Sequence, residues 1–165
     1  MSNLIVRSAI EADVVAITAI YNEVIATSNA IYRESNVETS ERLQWFLDKQ
    51  AHGYPIVVAQ IDGAVVGYGV FGAFRFGEGY NQSVEHSLHV SELHRGCGIG
   101  KKLLEELIAI AKLQKRRIMI AAIDSGNTQS IGLHVKYGFV ETARMPGVAQ
   151  KNGQLLDLVL MQKAL

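Results

Sequence analysis

The segment Glu85-His86-Ser87-Leu88-His89-Val90 runs through a short connection into Arg95-Gly96-Cys97-Gly98-Ile99-Gly100-Lys101. Its first half reads as a strand and its second as a glycine loop. Beyond it Leu103, Leu104, Leu107, Ile108 and Ala111 fall on one stripe of an amphipathic helix. Glycines at alternating positions let successive backbone N–H groups turn toward one point, and a helix starting near Gly98 brings the positive end of its dipole to the same place. The stretch therefore predicts a cradle for a phosphate-bearing ligand between a strand and a helix.

Two familiar cradles are excluded by spacing. Counting a dinucleotide pattern G-x-G-x-x-G from Gly96 puts Lys101 where the third glycine must stand. A triphosphate loop needs a glycine where this chain has Arg95 and a hydroxyl residue where it has Lys102. What remains is R-x-x-G-x-G, carried by Arg95, Gly98 and Gly100, followed downstream by Asn127, Ser130 and Leu133-His134-x-x-x-Gly138-Phe139. On these residues the chain resembles the GNAT superfamily of acyl-CoA-dependent N-acetyltransferases. The resemblance implies that the loop holds the pyrophosphate of CoA and that the later segment forms a second cofactor wall.

Composition bounds the rest. A chain of 165 residues, 48% hydrophobic, with two prolines and no repeat or low-complexity tract, suits one domain spanning residues 1–165 around a single core. Sixteen basic residues balance sixteen acidic ones, so no general attraction for nucleic acid or an anionic membrane is expected. The one basic cluster, Lys112 to Arg117, closes a helix, where cations favour the dipole. No apolar run approaches the ~20 residues of a membrane-spanning helix, and no signal segment is evident, which points to the cytosol. Cys97 is the only cysteine, so neither an intrachain disulfide nor a cysteine metal cluster is possible; it reads as a small residue tolerated in a tight loop. No His, Asp or Glu cluster has metal-ligand spacing, and no metal is expected.

Along the chain, Ile5 to Ser8 reads as a strand. Val14, Ile17, Ile20, Tyr21 and Val24 then recur at helical spacing after Asp13, a candidate N-cap. A second helix over Ser40 to Gln50 carries Leu43, Phe46 and Leu47, with Trp45 beside them as a core or interface residue. Ile56–Ile61 and Ala64–Phe71 flank Asp62-Gly63, a strong hairpin signal. Val84–Val90 is the next strand, and the intervening loop, Gly72 to Ser83, is rich in glycine and aromatics. Ile118–Ile123 is apolar throughout and reads as a strand buried on both faces. Asn127–Tyr137 is a helix ended by Gly138; a strand starts at Phe139, and Leu155–Met161 is the last. The order β-α-α-β-β-β-α-β-α-β-β is that of the GNAT fold. An α/β (α+β) architecture follows, with a mixed, mostly antiparallel sheet flanked by helices. In that fold the strands before the glycine loop and before Asn127 splay apart to admit pantetheine, and Val90 and Ile123 would border the gap.

The words Ile20-Tyr21-Asn22, Arg42-x-x-Trp45, Gly53-Tyr54-Pro55, Glu85-His86-Ser87 and Ser130-Ile131-Gly132-Leu133-His134 are similar to the phosphinothricin acetyltransferase family. Its members also act on methionine sulfoximine and methionine sulfone. The resemblance implies acetyl transfer from acetyl-CoA to the α-amine of a small amino-acid-like substrate within a ternary complex. It places the cofactor on Leu88, His89, Val90, Arg95, Gly96, Cys97, Gly98, Ile99, Gly100, Lys101, Asn127, Ser130 and Lys136. It places the substrate on Phe74, Arg75, Phe76, Gly77, Glu85, His86 and Ser87, with Arg75 and the aromatics near it, Tyr80 included, facing the carboxylate and polar head. Three positions depart from the family: Asn81 replaces a frequent arginine, Gly77 an aromatic and His89 a tyrosine. A homodimer is implied by resemblance alone.

Acetyl transfer needs a neutral amine, a polarised carbonyl and a proton for the leaving thiolate. Glu85 is the candidate base. The Val90 N–H, left unpaired by the splay, is the candidate donor to the thioester oxygen and the oxyanion. His134 occupies the position of the tyrosine that many GNAT enzymes use as the acid, and Tyr137 competes with it. Two other readings stay open: acetylation of a protein N-terminus or lysine, and a non-catalytic acyl-CoA sensor.

Overall fold

The computed structural model describes residues 3–165. Seven strands, β1 (Leu4–Ser8), β2 (Ile56–Ile61), β3 (Ala64–Ala73), β4 (Ser83–Val90), β5 (Ile118–Asp124), β6 (Val140–Lys151) and β7 (Gln154–Ala164), build one sheet in the order β1-β2-β3-β4-β5-β7-β6. Every neighbouring pair is antiparallel except β4 and β5, which run parallel. Helices α1 (Val14–Thr27), α2 (Thr39–Ala51), α3 (Ile99–Leu113) and α4 (Thr128–Lys136) complete the expected order.

Strand alternation gives the sheet two apolar faces. Val58, Tyr68 and Val70 pack with Ile17, Ile20, Val24 and Phe46 of α1 and α2, while Val57, Ala59 and Phe71 pack with Leu103, Leu104 and Leu107 of α3. The packing of α3 is tight at Gly69: a Cβ there would stand 3.0 Å from Leu107 Cδ1, closer than most real Cβ contacts, so the leucine would have to shift. This glycine leaves room for Leu107 against β3.

The Asp62-Gly63 turn has φ of 48° and 90°, the left-handed pair a two-residue hairpin requires. A second such turn, Asn152-Gly153 with φ of 50° and 76°, joins β6 to β7; β6 starts one residue after the expected Phe139, and β7 extends beyond both ends of the expected Leu155–Met161. Asp13 precedes α1 as expected but does not cap it. Its carboxylate accepts from the Arg7 guanidinium at 2.7 and 2.9 Å and from the Ile10 N–H at 2.8 Å, so the cation on β1 takes the group and leaves a 3-10 turn ahead of the helix. Among the described residues no helix is long and apolar enough to cross a membrane.

Candidate active site

The parallel pairing of β4 with β5 runs only from Ser83/Ile118 to His86/Ala121, and beyond it the strands part. The Ser91 N–H bonds the Val66 carbonyl across β3, so by two-residue alternation the Leu88 and Val90 N–H groups face away from β3, into the gap. The Val90 carbonyl accepts from Arg95 Nε at 3.1 Å, which ties the glycine loop to the end of β4. Gly96 and Gly98 adopt φ of 76° and 80°, and a Cβ on either would meet nothing within 4 Å, so the space before the loop is open. The first-turn amides of α3 face that space without intrahelical partners.

A cavity of about 850 Å³ follows the gap from the loop to α4. Every residue read above as cofactor-binding lines it except Cys97, which is exposed in the loop. The Asn127 side chain accepts from the Ser130 N–H at 3.1 Å and so caps α4 at the cavity wall. The opposite wall, Val24, Ser28, Asn29 and Ala30, was not legible in the sequence. It is held by Lys151, buried on β6, whose Nζ donates to the carbonyls of Ile25, Ser28 and Ile31 at 2.8, 2.7 and 2.9 Å.

A second cavity of about 320 Å³ opens on the other side of β4, and His89 lines both. Glu85 and Ser87 stand on its strand wall, with Tyr21 from α1 and Arg42, Trp45 and Lys49 from α2 opposite. Burial raises the Glu85 pKa above the usual carboxylate range, with Lys49 and Arg75 pulling it back. Burial likewise lowers the Lys49 pKa, and it holds His89 down at about 4, so that imidazole is neutral near pH 7. Trp45, expected in the core or an interface, packs edge-on to Tyr68 but also forms part of this wall. Phe74, Arg75, Phe76 and Gly77 do not line the cavity: Phe76 is fully exposed, and Arg75 lies over the Phe74 ring at 5.3 Å. Arg42 and Lys49 were the residues missed. Their signal was two cations seven positions apart on the helix face that also carries Trp45 and Phe46.

His86 touches this cavity, but its ring points to the other face of the sheet, 5.7 Å from Phe139 and stacked at 5.0 Å on His134. His134 is 2% exposed; its Nδ1 lies 2.7 Å from the Ser130 carbonyl and its Nε2 3.0 Å from His86 Nε2. Tyr137 donates to Glu105 on α3 at 2.6 Å, and neither His134 nor Tyr137 lines either cavity.

A splayed strand pair, a glycine loop on a helix N-terminus and a capped second wall define an acyl-CoA-dependent acyltransferase. The chain belongs to the Acetyltransferase (GNAT) family, whose model matches residues 17–139. It is 43% identical over 157 residues to the L-methionine sulfoximine/L-methionine sulfone acetyltransferase of Salmonella typhimurium, covering 95% of this chain and 92% of that one. Among solved structures, a GNAT superfamily phosphinothricin acetyltransferase from Sinorhizobium meliloti in complex with acetyl-CoA superposes with a TM-score of 0.94 at 38% identity, covering 99% of this chain and 88% of that one. A ribosomal-protein-alanine N-acetyltransferase from Brucella melitensis superposes at 0.96 with 43% identity, over 98% and 99% of the two chains. The chain is an N-acetyltransferase with acetyl-CoA as cosubstrate.

Proposed function

We propose that this enzyme acetylates the α-amine of a small amino acid with a tetrahedral polar head, of the methionine sulfoximine, methionine sulfone or phosphinothricin type. The observation that carries the reading is the junction of the two cavities at His89, beside the unpaired end of β4 and with Glu85 in the smaller one. A cavity of about 320 Å³ with one carboxylate and two cations suits a single zwitterion better than a peptide. The names of the relatives give the same substrate class for those proteins.

Bound acetyl-CoA supplies the thioester. Glu85, its pKa raised by burial, takes the ammonium proton and leaves the amine nucleophilic. The Val90 N–H donates to the carbonyl oxygen and to the charge that develops there. As the C–N bond forms and the C–S bond breaks, the acylated nitrogen sheds its surplus proton and the leaving thiolate takes one up at the α4 end of the larger cavity, where Ser130 lines the wall. The same reading includes residence in the cytosol, supported by the unpaired Cys97 thiol, and a homodimer, which sedimentation of the purified protein would test.

The deciding experiment measures CoA thiol release from acetyl-CoA with methionine sulfone, methionine sulfoximine and phosphinothricin beside ordinary amino acids and N-terminal peptides. Turnover on the first three carries the reading; turnover on peptides alone would replace it with protein acetylation.

A further inference from the structure

Arg42 is 8% exposed, yet it has no ion-pair partner among the described residues, and its Nε is buried without a hydrogen bond. Its guanidinium is clamped between two rings, with Cζ 3.7 Å from the Trp45 centroid and 4.3 Å from that of Tyr21. The clamp orients the planar group and gives cation–π stabilisation, but it supplies no acceptor for the N–H fork. Lys49, two turns on, is a second cation without an ion pair among these residues; its Nζ lies against Gly72, where a Cβ would collide with it. A buried cation without an anion is costly to keep, and both cations line the cavity that contains Glu85. The formal charges there are two positive and one negative.

We propose that Arg42 and Lys49 are the carboxylate subsite of the amine cavity, the guanidinium fork held by Tyr21 and Trp45 receiving the substrate carboxylate while Glu85 faces the amine. The proposal rests on the amino-acid reading given above. It moves the task from Arg75, which lies outside this cavity, to α2. A planar fork pairs with a carboxylate bidentately, and Lys49 adds a point charge on the Glu85 side. The consequence is selectivity: a free α-carboxylate is demanded, and an amide, ester or peptide leaves the buried Arg42 and the half-buried Lys49 unpaired and is rejected. The enzyme would therefore discriminate against protein N-termini by charge as well as by size.

The test compares L-methionine sulfone with its carboxamide in the intact enzyme, by steady-state acetylation and by emission of Trp45, the only tryptophan in the chain. The carboxamide's amine loses its proton more readily, so a preference for the acid cannot come from amine basicity. Wild type is expected to favour the acid by about 100-fold in kcat/KM. Arg42→Met should raise KM for the acid by about 100-fold with little change in kcat and should erase the preference; Arg42→Lys should recover only part of it, and Lys49→Met should cost about 10-fold. Equal use of acid and carboxamide by wild type, or an unchanged KM in Arg42→Met and Arg42→Lys, overturns the subsite. If wild type acetylates neither compound, Trp45 decides. A saturable change with the acid and none with the carboxamide supports the subsite while the substrate reading fails, and no change with either overturns the subsite.

Discussion

The Nε2 atoms of His86 and His134 face each other at 3.0 Å in the interior, and the Ser130 carbonyl 2.7 Å from His134 Nδ1 fixes which nitrogen holds each proton. A carbonyl only accepts, so His134 Nδ1 carries hydrogen, its Nε2 accepts, and His86 Nε2–H donates. His86 Nδ1 is then a bare acceptor, and it is buried without a partner. Burial lowers both pKa values, so both rings are neutral near pH 7. Burial and the neighbouring imidazole hold the His86 pKa at about 3, against an ordinary 6.5.

This pair predicts a loss of stability in mild acid. The unfolded chain takes up a proton near pH 6.5 that folded His86 refuses until about pH 3, so stability is full above pH 6.5 and falls as pH drops through that window. By pH 5 the deficit from His86 alone is about 2 kcal/mol. His134 and His89 act in the same direction, while Glu85, its pKa raised, opposes them. Thermal melts at pH 7 and pH 5 should differ by about 5 °C or more. His86→Gln keeps a donor toward His134 without a titrating ring and should show a smaller difference; an equal one would remove His86 as the cause.

Tyr137 donates its hydroxyl to Glu105 and stands outside both cavities. Tyr137→Phe should leave kcat within about twofold, as expected for a group that does not touch the reacting atoms. A fall of about 100-fold or more, with an unchanged melting temperature, would instead make Tyr137 the acid.

The fold was legible because its signals are local. Asp62-Gly63 sets one hairpin, the Leu103-Leu104-Leu107 stripe sets α3, and Gly138 ends α4 at φ 82°. Asn152-Gly153 carries the same turn chemistry, but Pro146 breaks the strand pattern before it; β6 tolerates that proline because it is an edge strand with its pairing shifted between Met145 and Ala149. The cofactor cavity was legible for the same reason, since loop, strand end and α4 cap are contiguous words. The amine cavity was not. Arg42 gains meaning only when Tyr21 from another helix closes on it, and the Ser28–Ala30 wall only when Lys151, more than 120 residues later in the chain, takes its carbonyls.

Glu85→Gln keeps the shape of the side chain and removes the carboxylate proposed as the base. Turnover at pH 7 should fall by about 100-fold or more, and the acid limb of the pH–rate profile set by Glu85 should disappear. The raised pKa places that limb above the usual carboxylate range. A mutant with the wild-type profile would exclude Glu85 as the base.

Two loop glycines separate backbone need from ligand space. Gly98 has φ 80°, so Gly98→Ala should cost about 1–2 kcal/mol through strain, although its Cβ touches nothing. Gly100 lies in the first turn of α3, where a Cβ would make an ordinary 3.5 Å contact with Leu88 Cδ1. Gly100→Ala should therefore hold or raise the melting temperature while weakening acetyl-CoA about 10-fold or more in calorimetry, because the added methyl stands beside Leu88 and Leu133 in the wall of the cavity proposed for the cosubstrate. Unchanged affinity would place the pyrophosphate elsewhere.

Lys151 is 3% exposed and donates to three carbonyls at and just beyond the end of α1. Its charge offsets the negative end of the helix dipole and shapes the turn that walls the cofactor cavity. Lys151→Met fills similar volume but leaves the carbonyls of Ile25, Ser28 and Ile31 without that donor, at a cost of about 3 kcal/mol or more in urea unfolding. Acetyl-CoA affinity should also fall, by about 10-fold, because Ser28, Asn29 and Ala30 lose their fixed position. Amine KM, measured at saturating acetyl-CoA, should hardly change, since the second cavity does not touch this turn. A variant that loses stability yet binds acetyl-CoA like wild type would show that the turn keeps its shape without the lysine.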